Sequence, residues 1–286
     1  MSSLTSGVNV LAKKIAAAFF LLAILAISIV TIQAVNAQFL GSVYISADGS
    51  VVGTNSIQRN GSIYTLTANI SGGIQVQKSN IVIDGAGYTV QGNGAGRGID
   101  LSNGRGEDPS RLEIDNVTVK NLQILDFYYG VDNANTNNNT FIGNYVEDCL
   151  DSFWIIGSSN NTITSNTLKN ASIEINYAGS NTITKNNFFD CRLTVWLSTQ
   201  PLVDGNYWSE YTTRYPNAKE IGNTGVWDTP YKYWESVVDN HPLTKPISTT
   251  IPEFPSWIIP ALFVVISISL IGWKRRNSTT KQTEKT

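Results

Sequence analysis

Apolar positions return at a nearly fixed interval through the middle of the chain. Val119, Phe141, Ile163, Ile183 and Val203 are 22, 22, 20 and 20 residues apart, and each has an apolar partner five residues on, at Ile124, Val146, Leu168, Phe188 and Trp208. A fixed period of this size means stacked units that share one core. Within a unit, apolar and polar residues alternate over a few positions and then meet asparagine, as in Asn139-Thr-Phe-Ile-Gly-Asn144, Asn161-Thr-Ile-Thr-Ser-Asn166 and Asn181-Thr-Ile-Thr-Lys-Asn186, closing with Leu202-Val-Asp-Gly-Asn206. Alternation with period two is a half-buried strand, and units this short cannot hold a helix pair. The pattern predicts an all-β solenoid of strand-and-turn coils. Ile81-Val-Ile-Asp-Gly85 is its first clear coil over 80–208, with a cap and first strands over 38–79 and a non-repetitive aromatic cap over 209–244.

Offsets from each apolar start become columns along the stack. Offset three is Asn144, Asn166, Asn186 and Asn206, which predicts a hydrogen-bonded asparagine ladder whose members also tolerate positive φ at a bend. Offset seven is Asp126, Asp148, Asn170, Asp190 and Glu210. Stacked acids either serve as turn residues or share a cation such as calcium, the one cofactor these residues suggest. Offset eight places Cys149 and Cys191 two coils apart, with Ala171 between them. Two strand spacings, about 10 Å, exceed the roughly 7 Å that a disulfide allows between Cα atoms, so the expectation is two buried thiols.

Offset twelve, Val131, Phe153, Ile175 and Val195, suits the core. Alternation then turns offset thirteen outward, at Asp132, Trp154, Asn176 and Trp196, and offset eleven with it, at Gly130, Ser152, Glu174 and Thr194. Trp154 and Trp196 would flank Asn176, with Glu174 and Thr194 alongside. Aromatic faces beside hydrogen-bonding groups suit a sugar ring and its hydroxyls, which makes Trp154, Glu174, Asn176, Thr194 and Trp196 the candidate glycan-binding residues. The alternative is that a loop from 209–245 covers the indoles. The Gly-rich stretch 92–111 leads into Ile99-Asp-Leu101 and not into a helix, so it is an insertion and not a phosphate loop.

Both ends carry export signatures. Lys13 and Lys14 precede an apolar run, Ile15 to Ile32, and Val35-Asn-Ala37 supplies the small residues of a signal-peptidase site, leaving Gln38 first. An uncleaved anchor is the alternative. A stalk over 245–256 leads to an apolar span, Trp257 to Trp273, and a basic tail over 274–286 that starts Lys274-Arg275-Arg276 and so stays inside. The expected protein is exported, with its domain outside the cell. The acceptors Asn60, Asn69, Asn116, Asn138, Asn160 and Asn170 are then possible glycosylation sites, although several coincide with repeat turns. With 20 basic and 22 acidic residues and a net charge of −2, there is no basic stripe for nucleic acid.

Pro252-Glu253-Phe254-Pro255, followed by the apolar span and basic tail, resembles the archaeal PEF-CTERM sorting signal. That resemblance implies a sorting transpeptidase of the archaeosortase type and attachment at the cell surface. Asn80-Ile-Val-Ile-Asp-Gly-Ala-Gly-Tyr-Thr-Val90, the Asn-Thr-Ile coils, and Gly205-Asn-Tyr-Trp-Ser209, Trp227-Asp-Thr-Pro-Tyr231 and Asp239-Asn-His-Pro-Leu243 together resemble the NosD-like proteins, especially archaeal surface members. The resemblance covers about 43–243 and implies a single-stranded right-handed parallel β-helix. It also implies copper-site maturation, which sits poorly with a sequence whose His241 is a single histidine. Polysaccharide lyases and hydrolases share the β-helix, and Arg192 beside Asp190 is the candidate base region for such chemistry, but fold alone gives no activity. The expectations are therefore a surface β-helix that binds glycans or neighbouring surface proteins, a purely structural envelope component, or a polysaccharide lyase or hydrolase.

Overall fold

The sequence alternates inward and outward residues over three or four positions and then inserts a residue that accepts a left-handed backbone. That recurrence winds the chain into coils. The computed structural model describes residues 43–102, 113–233 and 237–248. Their strands form three sheets along one solenoid and a separate two-stranded antiparallel sheet, Tyr231–Tyr233 with Val237–Asp239. Sheet A is 8-stranded and runs from Val51–Val52 through Val43–Ile45, Ile74–Val76, Arg97–Asp100, Tyr129–Asp132, Asp151–Ile156 and Ser172–Asn176 to Arg192–Trp196. Sheet B is 8-stranded, from Ile57–Asn60 to Leu202–Asp204, and sheet C is 7-stranded, from Ile70–Ser71 to Tyr207–Trp208.

The periodic positions stack as the spacing predicts. In sheet B, Val119, Phe141, Ile163, Ile183 and Val203 are direct parallel partners. In sheet C, Ile124, Val146, Leu168, Phe188 and Trp208 are likewise aligned. All are buried and belong to one continuous core. Parallel stacking begins before the first clear coil, because Val43–Ile45 pairs with Ile74–Val76 and Ile63–Leu66 with Ile81–Asp84. Two antiparallel strands, Val51–Val52 and Ile57–Asn60, close the N-terminal edges of sheets A and B. Arg97–Asp100, inside the stretch expected to be an insertion, is a strand of sheet A.

The asparagine ladder forms. The backbone N–H of Asn144 donates to Asn166 Oδ1, Asn166 to Asn186 and Asn186 to Asn206, each at 2.9 Å. Each carboxamide also donates to a carbonyl of the preceding coil, as Asn166 Nδ2 does to Phe141 at 2.9 Å. A second ladder runs through Asn139, Asn161 and Asn181. One expectation is corrected: these asparagines do not take positive φ. The residue before each takes it, at Gly143, Ser165, Lys185 and Gly205 for the first ladder and at Asn138, Asn160 and Ser180 for the second. The division has a steric cause. The left-handed corner turns the chain, and the next side chain then points inward to bridge coils.

The offset-seven residues Asp126, Asp148, Asn170 and Asp190 are left-handed corners too, with φ of 63°, 54°, 47° and 52°. This supports their role as turn residues. Glu210 leaves the column to become the N-cap of a one-turn helix, Tyr211–Arg214. Cys149 and Cys191 are unbridged and buried, as expected.

At the C-terminal end, Trp208 stacks on Phe188 at 4.4 Å and on Tyr231 at 4.2 Å. Tyr211 stacks on Trp227 at 5.1 Å. Asp239, fully buried, ends the first ladder: it accepts from Gly205 N, Asn206 N, Asn206 Nδ2 and Trp208 Nε1 at 2.8 to 3.1 Å. His241 lies at this surface with its Nδ1 2.7 Å from Asp204 Oδ1. The signal segment, Pro252, Glu253, Phe254, Pro255 and the apolar span lie outside the described residues. Among the described residues no helix is long and apolar enough to cross a membrane.

Candidate functional site

Sheet A carries its outward residues in columns, and these differ from the columns the spacing suggests. Trp154 is the direct partner of Glu174, which in turn pairs with Thr194. Asn176 is paired with Ile156 on one side and Trp196 on the other. Trp154, Asn176 and Trp196 therefore do not form one column. The cause is a coil that is one residue shorter on entering sheet A, at Asp151 and Ser172, and loses one more at the register irregularity between Asp151 and Phe153. The expected core residues Val131, Phe153 and Ile175 still point inward and are buried, while Val195 is partly buried. Gly130, Asp132 and Ser152, expected to face outward, are buried as well. A Cβ on Gly130 would lie 2.8 Å from the Ser152 carbonyl and 2.9 Å from Val146, so close contact between coils selects glycine there.

The shifted register still gathers the predicted residues, as a diagonal. Glu174 lies directly beside Trp154, and Asn176 directly beside Trp196. Asn176 Nδ2 donates to Glu174 Oε1 at 2.5 Å, which ties the two columns together, while Asn176 Oδ1 is buried without a partner among the described residues. Two strand spacings and two residue rises separate the indoles by roughly 12 Å. No described part of 209–245 covers them as a lid: Trp196 is 65% exposed and Trp154 is half-buried. The aromatic cap instead packs across the end of the core.

Sheet A also brings together side chains that the spacing did not single out. Tyr129 lies against Trp154 with ring centroids 4.9 Å apart, and Tyr128 lies edge-on to Tyr129 at 4.7 Å. Around this aromatic platform stand Asp100, Asp132, Asp151 and Glu174. Asp132 pairs with Asp100 on one side and Trp154 on the other, and Tyr129 lies between Arg97 and Asp151. Arg97 Nε donates to Asp132 Oδ2 at 2.5 Å. Burial and the neighbouring Asp100 outweigh that ion pair and hold the Asp132 carboxyl above the usual carboxylate range. Burial also raises Asp151, against a hydrogen bond from the Ser172 hydroxyl and with help from the Glu174 charge. Tyr129 is raised by burial and by the surrounding acids.

Arg192, the candidate base, is exposed. Its column neighbours are Ser172 and then Asp151, so it borders this acidic face and does not pair with Asp190. The long coil after Asp100 breaks the period and hides the Arg97–Asp132 contact, whereas Tyr129 and Trp154 meet diagonally across strands that keep the regular step. The sequence places Trp154 outward as found, whereas Asp132 is buried. Among the described residues, no group of three or more His, Cys, Asp or Glu is arranged to hold a metal ion.

A family model described as a right-handed beta helix region matches residues 41–207. Neither a curated protein nor a solved structure matches the chain.

Proposed function

This chain belongs to the right-handed β-helix family, and we propose that it is an exported, surface-anchored protein that binds polysaccharide on the outer face of sheet A. The observation that carries the reading is the Tyr129–Trp154 platform at 4.9 Å, ringed by acids and continued diagonally through Glu174 and Asn176 to Trp196. An exposed aromatic ring takes the apolar face of a pyranose, and nearby carboxylates and carboxamides take its hydroxyls. The roughly 12 Å between the indoles accommodates more than one sugar unit. Export rests on the N-terminal charged and apolar run. Anchoring rests on the C-terminal span with its Pro252-Glu253-Phe254-Pro255 motif, which suits a sorting transpeptidase.

A second reading, a polysaccharide lyase or hydrolase, is favoured by Asp132 and Asp151, whose raised carboxyls lie beside the platform with Arg97 and Arg192. A carboxyl held above its usual range suits a general acid. The two readings separate in one experiment. The ectodomain from Gln38 to Lys245 is mixed with bead-coupled and insoluble polysaccharides beside a Trp154→Ala/Trp196→Ala variant, and supernatants are assayed for new reducing ends. Binding that the variant loses, without release, supports the binding reading. Released oligosaccharides transfer the proposal to catalysis, and binding to no polysaccharide leaves a structural envelope role.

A further inference from the structure

The sequence motif Asn-x-Ser/Thr marks Asn60, Asn69, Asn116, Asn138, Asn160 and Asn170 alike, but the structure treats their side chains differently. All are exposed. Asn116 Nδ2 donates to Asn80 Oδ1 at 2.8 Å, and Asn170 Nδ2 donates to Asp148 Oδ1 at 3.1 Å, which commits the nitrogen that a glycan would need. Asn69 Oδ1 is fixed by the backbone N–H of Thr89 at 3.0 Å. The carboxamides of Asn60, Asn138 and Asn160 make no hydrogen bond among the described residues. Asn60 sits at the tip of the antiparallel hairpin between Ile57–Asn60 and Ile63–Leu66, just before Gly61 at φ 61°.

Asn138 and Asn160 share a second property. They are left-handed corners of consecutive coils, with φ of 58° and 59°, and each precedes a buried ladder asparagine, Asn139 or Asn161. The threonine that completes each motif, Thr140 or Thr162, points outward from sheet B, and the two are direct partners. The coil chemistry itself thus writes the acceptor motif: a left-handed Asn to turn, an inward Asn for the ladder, an outward Thr for the strand. The turn also lifts the carboxamide clear of the sheet.

We propose that Asn60 and the Asn138/Asn160 corner are N-glycosylated, with at most one of the stacked pair occupied in any one molecule. Coil spacing sets the exclusion. Adjacent strands lie about 4.8 Å apart, which is narrower than two glycan chains side by side. In the transfer, Nδ2 attacks C1 of an oligosaccharide carried on a lipid phosphate or pyrophosphate. The C1–O bond to phosphate breaks, the lipid phosphate leaves with the electron pair, and the nitrogen loses one proton. The proposal requires the domain to be exported but does not rest on its binding polysaccharide.

Glycopeptide mapping and intact mass of the full chain, purified from the cells that naturally make it, test this. The expected result is a glycan on Asn60 and on either Asn138 or Asn160, with Asn116 and Asn170 bare. Thr140→Val removes one acceptor without altering its left-handed corner, and occupancy of Asn160 should then rise; Thr162→Val should do the reverse. Unmodified Asn60, Asn138 and Asn160 overturn the proposal. Molecules carrying glycans on both Asn138 and Asn160, or on Asn116 and Asn170 in preference to them, also overturn it.

Discussion

At the residue scale the chain divides its polar side chains between two tasks, bridging coils from within and turning corners from without. Asn166 does the first: it accepts the N–H of Asn144 and donates to the carbonyls of Phe141 and Thr164 and to Asn186 Oδ1. Asn166→Ala leaves several buried backbone groups unpaired at about 1–3 kcal/mol each and should cost roughly 3–5 kcal/mol in urea unfolding. A loss below about 1 kcal/mol would mean that the ladder is incidental to stability. The thiols supply a pH test. Burial raises Cys149 to about 11 and Cys191 to about 12 from an ordinary 9.0. The folded thiols keep their protons where unfolded ones ionise, so this contribution to stability is complete below pH 9 and falls as pH rises beyond it. Iodoacetamide at pH 8 should label neither thiol in the native protein and both in urea.

At the scale of elements, what was legible depended on whether the period survived. Sheets B and C keep strict steps, so every apolar partner from Val119 to Val203 and from Ile124 to Trp208 could be aligned from the sequence. Sheet A does not. A shorter turn before Asp151 and a one-residue irregularity at Asp151/Phe153 together move Asn176 away from Trp154, and the long coil after Asp100 conceals the pairing of Asp100 with Asp132. Side chains supply no signal for such a shift, because alternation continues on both sides of it. The two closing motifs carried a subtler message. Gly205-Asn-Tyr-Trp and Asp239-Asn-His-Pro meet because the Asp239 carboxylate receives the open end of the ladder. Asp239→Ala should strip these bonds and destabilise the protein by roughly 3–5 kcal/mol. Hydrogen exchange should show the loosening first in Leu202–Asp204 and Tyr207–Trp208. Uniform loosening along the solenoid would contradict a capping role.

At the scale of the whole molecule, a stack of near-identical coils is a ruler. Each coil advances the same outward position by one strand spacing, so a ligand with its own repeat can be met by successive rows. Sheet A departs most from repetition: its outer face carries Tyr129, Trp154 and Trp196 among acids, whereas sheet B presents threonines at Thr118, Thr140, Thr162 and Thr182. The exceptions to the repeat thus concentrate on one face, which is where we propose that recognition occurs. Affinity electrophoresis of the ectodomain through gels carrying single polysaccharides tests this most directly, with wild type, Trp154→Ala and a Thr162→Val control run together. At least one polysaccharide should retard wild type and the control equally, and Trp154→Ala should migrate as if the gel were empty. Equal retardation of all three, or of none in any gel, would contradict the proposal.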